Sequence, residues 1–286
     1  MQTYVIMSEL KNKFYASTGT IVGRANNFDY NVIIDHAKDI RADGIEFMML
    51  SVWYNRIDEI AEALKKAGIY TPVIHFDKYI GVMLADGDEK TNVEAMKLFR
   101  ENARLAKLIG AGKAVFHLWG GQKSDSTVDG AIELLPQMRD ICEEAGTELL
   151  IENIPCEYND PLSIWEKIYS RIPDMGFIFD TRFGKFHDQY MDIFASPVWK
   201  NVKHMHASSY NGKKNELGLI RPILQPGEGQ VDFDHIISNM PHYEGSVTLE
   251  SPVLSDDGSV DTATLNRSLD YLREKFELYR PDVKNV

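Results

Sequence analysis

The stretch Gly146-Thr-Glu-Leu-Leu-Ile-Glu152 decides the fold. The glycine stops the helix-like run Val128–Ala145, three apolar residues make a short strand, and the strand ends on a carboxylate. The same arrangement recurs on both sides. Tyr70-Thr-Pro-Val-Ile-His75, Ala114-Val-Phe-His117, Gly176-Phe-Ile-Phe-Asp180, Val202-Lys-His-Met-His206 and Ser246-Val-Thr-Leu-Glu250 are all short β-rich runs that end on a polar side chain. Each is followed by a helix-like stretch. Polar side chains at the C-terminal ends of consecutive parallel strands are where a (β/α)₈ barrel builds its active site.

Working outward, strand and helix alternate along the chain, which predicts one α/β domain over residues 1–286, a single TIM barrel. Strand one is expected at residues 4–8, with residues 20–23 competing for the role. Strand two is expected at 44–49. Helices are expected at 30–42, 56–67, 92–109, 128–145, 162–170 and 263–279, several stopped by glycine, as at Gly68, Gly110 and Gly146. Long loops at 77–90, 119–126, 181–190 and 208–229 follow strands and should gather on one face. Strand side chains alternate sides, so Val73/His75, Val115/His117, Leu150/Glu152, Ile178/Asp180, His204/His206 and Thr248/Glu250 each share a face. If that face points inward, six polar tips converge at the barrel mouth.

Bulk properties agree. A chain of 286 residues can bury a full barrel core. The net charge of −12 argues against general affinity for nucleic acid or anionic membranes. Two cysteines, Cys142 and Cys156, make no disulfide framework, and no apolar run is long enough for a membrane span. A cytoplasmic setting is expected, and a homo-oligomer is compatible with the composition.

The ligand types point to chemistry. Glu152, Asp180, His206 and Glu250 form an oxygen-rich set carrying up to three negative charges. Such a set is unfavourable unless a cation neutralises it. Carboxylates with imidazole suit one divalent ion, Mn²⁺, Mg²⁺, Co²⁺ or Zn²⁺. Carboxylates beside that ion can move protons on either face of a bound substrate.

These residues resemble the xylose-isomerase-like TIM barrels, which include sugar isomerases, ketose 3-epimerases and metal-dependent apurinic endonucleases. The motifs are Ile151-Glu152-Asn153, Phe179-Asp180-Thr181, His204-Met-His206, Pro226-Gly-Glu-Gly229-Gln-Val-Asp-Phe233 and Leu249-Glu250-Ser251. The resemblance implies that Glu152 and Glu250 bind the metal and act as acid and base, while Asp180 and His206 complete its shell. The implied reaction removes a proton beside a carbonyl and returns it through an enediolate. The endonuclease members use extra histidines, and His75 and His117 match two. Phe183 stands where a histidine is common, and Arg221-Pro-Ile-Leu-Gln-Pro226 lacks the nucleases' Asp-x-His pair.

The expectation is therefore a metal-dependent isomerase or epimerase of a small sugar or sugar phosphate, without nucleic-acid or membrane partners. A phosphodiester hydrolase acting at abasic DNA is one alternative, and a non-catalytic carbohydrate-binding barrel is another. His75 and His117 are expected substrate contacts, or else hydrogen-bonded pocket residues. His204, one pleat deeper, reads as a core histidine, and Glu46 reads equally as a pocket residue or an ion-pair partner. Arg182, Lys185, Lys213, Lys214 and Arg221 sit on expected mouth loops. Each alone is an ordinary surface charge, but together they favour an anionic substrate, with Lys185 and Arg221 as contacts. Trp53, Trp119 and Phe183 are either sugar-stacking rim aromatics or packing.

Overall fold

Short runs rich in branched and aromatic residues form the strands. They are β1 (Phe14–Ser17), β2 (Gly44–Met48), β3 (Val73–His75), β4 (Lys113–Phe116), β5 (Glu148–Glu152), β6 (Gly176–Asp180), β7 (Val202–Ala207), β8 (Ser209–Tyr210), β9 (Ile223–Leu224) and β10 (Ser246–Leu249). Eight of them close a parallel barrel in the order β1-β10-β7-β6-β5-β4-β3-β2, while β8 and β9 form a separate antiparallel pair above it. The computed structural model describes residues 9–212 and 220–284. Closure needs β1 to pair with both β10 and β2, and it does, with Tyr15 beside Thr248 and Gly44.

The first strand thus differs from both expected segments. Residues 4–8 lie outside the described residues. Residues 20–23 are not extended, because the Ile21 and Val22 amides bond back to Thr18 O at 3.1 and 2.9 Å, closing a tight turn. The helices are α1 (Asn31–His36), α2 (Ile57–Lys66), α3 (Tyr79–Leu84), α4 (Glu89–Ile109), α5 (Val128–Ala145), α6 (Pro161–Arg171), α7 (Thr181–Phe186), α8 (Tyr190–Ala195), α9 (Phe233–Asn239) and α10 (Thr262–Tyr279). Gly110 and Gly146 end α4 and α5 in the left-handed conformation, φ 74° and 77°, where a side chain would be strained. Among the described residues, no helix is long and apolar enough to cross a membrane.

Strand parity sorts the core into two compartments. Tyr15, Val73, Val115, Leu150 and Ile178 form a small cluster inside the barrel. Alternate residues, including Phe47, Ile74, Phe116, Ile151, Phe177 and Phe179, face outward and pack under the helices. Each such buried side chain stabilises the fold by about 1.5–3 kcal/mol. The inner cluster is the floor of the site: Val73, Val115, Leu150 and Ile178 each lie two residues before His75, His117, Glu152 and Asp180.

Candidate active site

That two-residue step delivers the six polar tips to one place. His75, Glu152, Asp180 and His206 are buried, and Glu250 is 9% exposed. Ligand atoms of Glu152, Asp180, His206 and Glu250 lie within 4.8 Å of one another, and those of His75, His117 and Glu152 do so as well. Glu152 belongs to both groups.

Each side chain is aimed by local structure. Asp180 ends β6 and caps α7, its Oδ1 accepting from the Phe183 amide at 2.9 Å. Asn153 holds the same backbone from β5, accepting from Asp180 N at 2.6 Å and donating to Asp180 O at 3.2 Å. Asp180 Oδ2 is left without a hydrogen-bond partner. His75 Nδ1 donates to Phe76 O at 2.7 Å, which turns its Nε2 to the cluster, 3.5 Å from Glu152 Oε2. His117 Nε2 stands 2.7 Å from the same oxygen, but out of hydrogen-bond alignment. His206 Nδ1 faces Glu152 Oε1 at 3.0 Å and Glu250 Oε2 at 3.5 Å.

Electrostatics follow from the burial of these charges. Burial pushes the Asp180 carboxyl up to about 6; Arg182 opposes this, and the Glu152 and Glu250 charges add to it. Burial would push Glu152 up too, but His206 above all holds it well below the usual carboxylate range. Burial would lower His206, yet Glu250, Glu46 and Glu152 raise it well above an ordinary imidazole. Burial lowers His117 to about 4, outweighing Glu152, so it is a neutral ligand or acceptor. Oxygens of Glu152, Asp180 and Glu250 and the Nε2 atoms of His75 and His117 are all buried without a hydrogen-bond partner. Buried polar atoms are normally satisfied, and orphaned atoms in two ligand groups that share Glu152 fit a divalent cation.

The expected mouth cations and aromatics take varied positions. Lys185 turns away: its Nζ lies 3.6 Å from Asp188 Oδ1, and it lines a side depression with Asp188, Tyr190 and His235. Arg221 is exposed on the segment leading into β9. Lys213 and Lys214 lie outside the described residues. Among the described residues, Arg182 is a cation that reaches the cluster. It is 7% exposed, its Nη2 3.9 Å from Asp180 Oδ2, its fork held by Ser208 Oγ and Ile220 O. Its guanidinium lies 4.4 Å above the Phe183 ring, so Phe183 serves as packing under that charge. Trp53 and Trp119 are core residues, each 1% exposed, with indoles bonded to Phe28 O and Pro155 O. His204 is a hydrogen-bonded core histidine, 2.7 Å from Ser246 Oγ and 2.8 Å from Glu46 Oε2.

Comparison with solved structures returns the same architecture at low identity. A D-tagatose 3-epimerase-like protein matches with TM-score 0.69 and 16% identity, covering 95% of this chain and 99% of that one. The D-allulose 3-epimerase from Methylomonas sp., solved with D-allulose, matches with TM-score 0.69 and 12% identity, covering 92% and 97%. The IOLI protein, solved with a bound zinc atom, matches with TM-score 0.66 and 15% identity, covering 93% and 98%. A search of the curated proteins returns no match. The model of the family described as Xylose isomerase-like TIM barrel matches residues 34–275. That span takes in barrel strands β2 to β7 and β10 and all six convergent side chains, and the chain belongs to the Xylose isomerase-like TIM barrel family.

Proposed function

We propose that this protein is a divalent-metal-dependent isomerase or epimerase of a small sugar or sugar phosphate. One observation carries the reading: two glutamates, Glu152 and Glu250, flank one His206 nitrogen in a buried cluster whose remaining lone pairs have no donors. The similar solved proteins described as ketose 3-epimerases, one holding D-allulose, support the substrate class.

Glu152, Asp180, His206 and Glu250 would hold the ion, which could be Mn²⁺, Mg²⁺, Co²⁺ or Zn²⁺. When bound, the ion supplies positive charge that stabilises oxyanion character on the substrate. The rest is proton transfer by this chain. One glutamate takes the proton from the carbon beside the substrate carbonyl, and the C–H electron pair becomes the enediolate double bond. The other glutamate returns a proton, to the opposite face of that carbon in an epimerase or to its neighbour in an isomerase. His117 and His75 both bring Nε2 to Glu152 Oε2, at 2.7 and 3.5 Å, and would position substrate hydroxyls. The apolar floor and the buried setting keep bulk water from the enediolate.

The test is metal analysis of protein purified without chelator, then a screen of ketoses in D₂O. About one ion per chain is expected, mostly lost in Asp180→Ala, with deuterium entering beside the carbonyl of the accepted sugar. A metal-free protein whose melting temperature ignores Mn²⁺, Co²⁺, Mg²⁺ and Zn²⁺ would refute the site.

A second reading has its own support. His75, His117 and Glu152 form a further three-ligand group, and an ion there beside the first would suit phosphodiester hydrolysis. Two or three zinc ions per chain would favour it.

A further inference from the structure

Glu46 lies at the foot of the site, fully buried in β2, on the opposite side of the barrel from β6. Its carboxylate meets two imidazoles of β7. His204 Nε2 lies 2.8 Å from Oε2, and His206 Nε2 lies 3.2 Å from Oε2 and 3.0 Å from Oε1. A carboxylate can only accept, so both Nε2 atoms carry their protons. His204 is itself braced, with Nδ1 2.7 Å from Ser246 Oγ and Nε2 3.0 Å from Thr248 Oγ1. The consequence for His206 is specific. With the Nε2 proton held by Glu46, the nitrogen at which a metal ion would replace a proton is Nδ1, which faces Glu152 Oε1 at 3.0 Å and Glu250 Oε2 at 3.5 Å.

We propose that Glu46 is the positioning residue of the metal centre: braced by His204, it fixes the His206 tautomer and ring so that Nδ1 is the ligand. This rests on the metal-dependent reading above. A carboxylate behind a ligating histidine raises the basicity of that histidine and fixes its orientation, and losing it typically costs 10–100-fold in metal affinity. Glu46, His204 and His206 also lie close enough to hold an ion among themselves. That arrangement would require both Nε2 atoms to lose the protons that Glu46 accepts, and it opposes the proposal directly.

The experiment combines titration calorimetry with ¹⁵N NMR of the histidine rings, using Zn²⁺ alone as the probe on the full chain. In the wild type, Zn²⁺ should shift His206 Nδ1 while Nε2 stays protonated, and His204 should remain metal-free. Glu46→Gln keeps the volume but replaces one acceptor oxygen by a donor. It should lower Zn²⁺ affinity 10–100-fold while the metal-free melting temperature changes little. Glu46→Gln with wild-type affinity would overturn the inference alone, as would a metal shift on His204 or on His206 Nε2. A wild type that binds no Zn²⁺ would overturn the metal reading and this inference with it. Should the variant fail to fold, the wild-type ring spectrum decides by itself.

Discussion

Asp180 divides its two oxygens between fold and function: Oδ1 caps α7, and Oδ2 is left facing the cluster. Glu152 and Glu250 are different, because their carboxylates face the same histidine nitrogen, and the proposed mechanism has each reach a substrate held between them. Glutamine at either position keeps the volume and one oxygen ligand but cannot take a proton. Glu152→Gln and Glu250→Gln should each lower turnover by at least about 10² on an established substrate, with part of the metal binding retained. In D₂O one variant should still exchange the proton of one epimer, and the other variant that of the opposite epimer. Near-wild-type turnover in both would leave the metal site standing and sink the two-carboxylate mechanism. At this scale the strand-end residues were legible, because a period of two and a handful of ligand types suffice to align them. The direction of Lys185 was not, because a long flexible side chain has several partners within reach, here Asp188 three residues along the chain. Arg182 was legible as a rim cation but not as a buried one, since its burial depends on Ser208 and Ile220, far along the chain. Glu46 could be placed facing inward, yet its partners on β7 are 158 and 160 residues away.

Among the elements, those with strong local signals matched and those fixed by distant contacts did not. The glycine-stopped α5 runs over Val128–Ala145 as its apolar spacing predicts. The helix expected at 30–42 shrinks to α1, Asn31–His36. Asn266 of α10 explains the early end: it accepts from Arg41 N and donates to Asp39 O, both at 2.7 Å, taking that backbone out of the helix. β1 is only four residues, Phe-Tyr-Ala-Ser, with little branched character, and its pairing with β10 and β2 defines it. Loops at the mouth are tied down by comparable long-range bonds. Asp125, in the loop after β4, accepts from the amides of Glu157, Tyr158 and Asn159 and from the Asn159 side chain, at 2.6–3.2 Å. Burial alone would raise its carboxyl; the Glu157 amide and then its other donors lower it on balance. Its folded pKa thus lies below the unfolded one. The stability it contributes is full above the unfolded value, about 4, and is lost as pH falls through the folded value. Asp125→Asn should cost about 1–3 kcal/mol at pH 7 by denaturant unfolding. The gap to wild type should narrow as pH drops below about 4; a gap independent of pH would show that the carboxylate charge is not what holds these loops.

At the scale of the whole molecule, acidity decides what the barrel can approach. Its 43 acidic residues against 31 lysines and arginines give −12, and a duplex would have to be met by a local basic surface. Among the described residues, three of the rim cations are already engaged by the protein itself. Arg182 is buried over Phe183, Lys185 lies near Asp188, and Lys123 pairs with Asp86 at 3.0 Å. A protein that grips DNA commonly neutralises about 6–10 phosphates, and its affinity falls steeply with salt for that reason. The orphaned cluster, by contrast, is buried, built over the apolar floor of Tyr15, Val73, Val115, Leu150 and Ile178. A flipped abasic nucleotide would have to be extruded into it without the backbone contacts that offset the cost of distorting the duplex. Zinc-loaded protein should therefore leave an abasic duplex oligonucleotide intact, and should show no salt-dependent binding to it at about physiological ionic strength. The same preparation should still exchange a ketose proton for deuterium. Rapid metal-dependent incision, lost in His75→Ala and His117→Ala, would reverse the order of the two readings and assign the His75–His117–Glu152 group to phosphodiester chemistry.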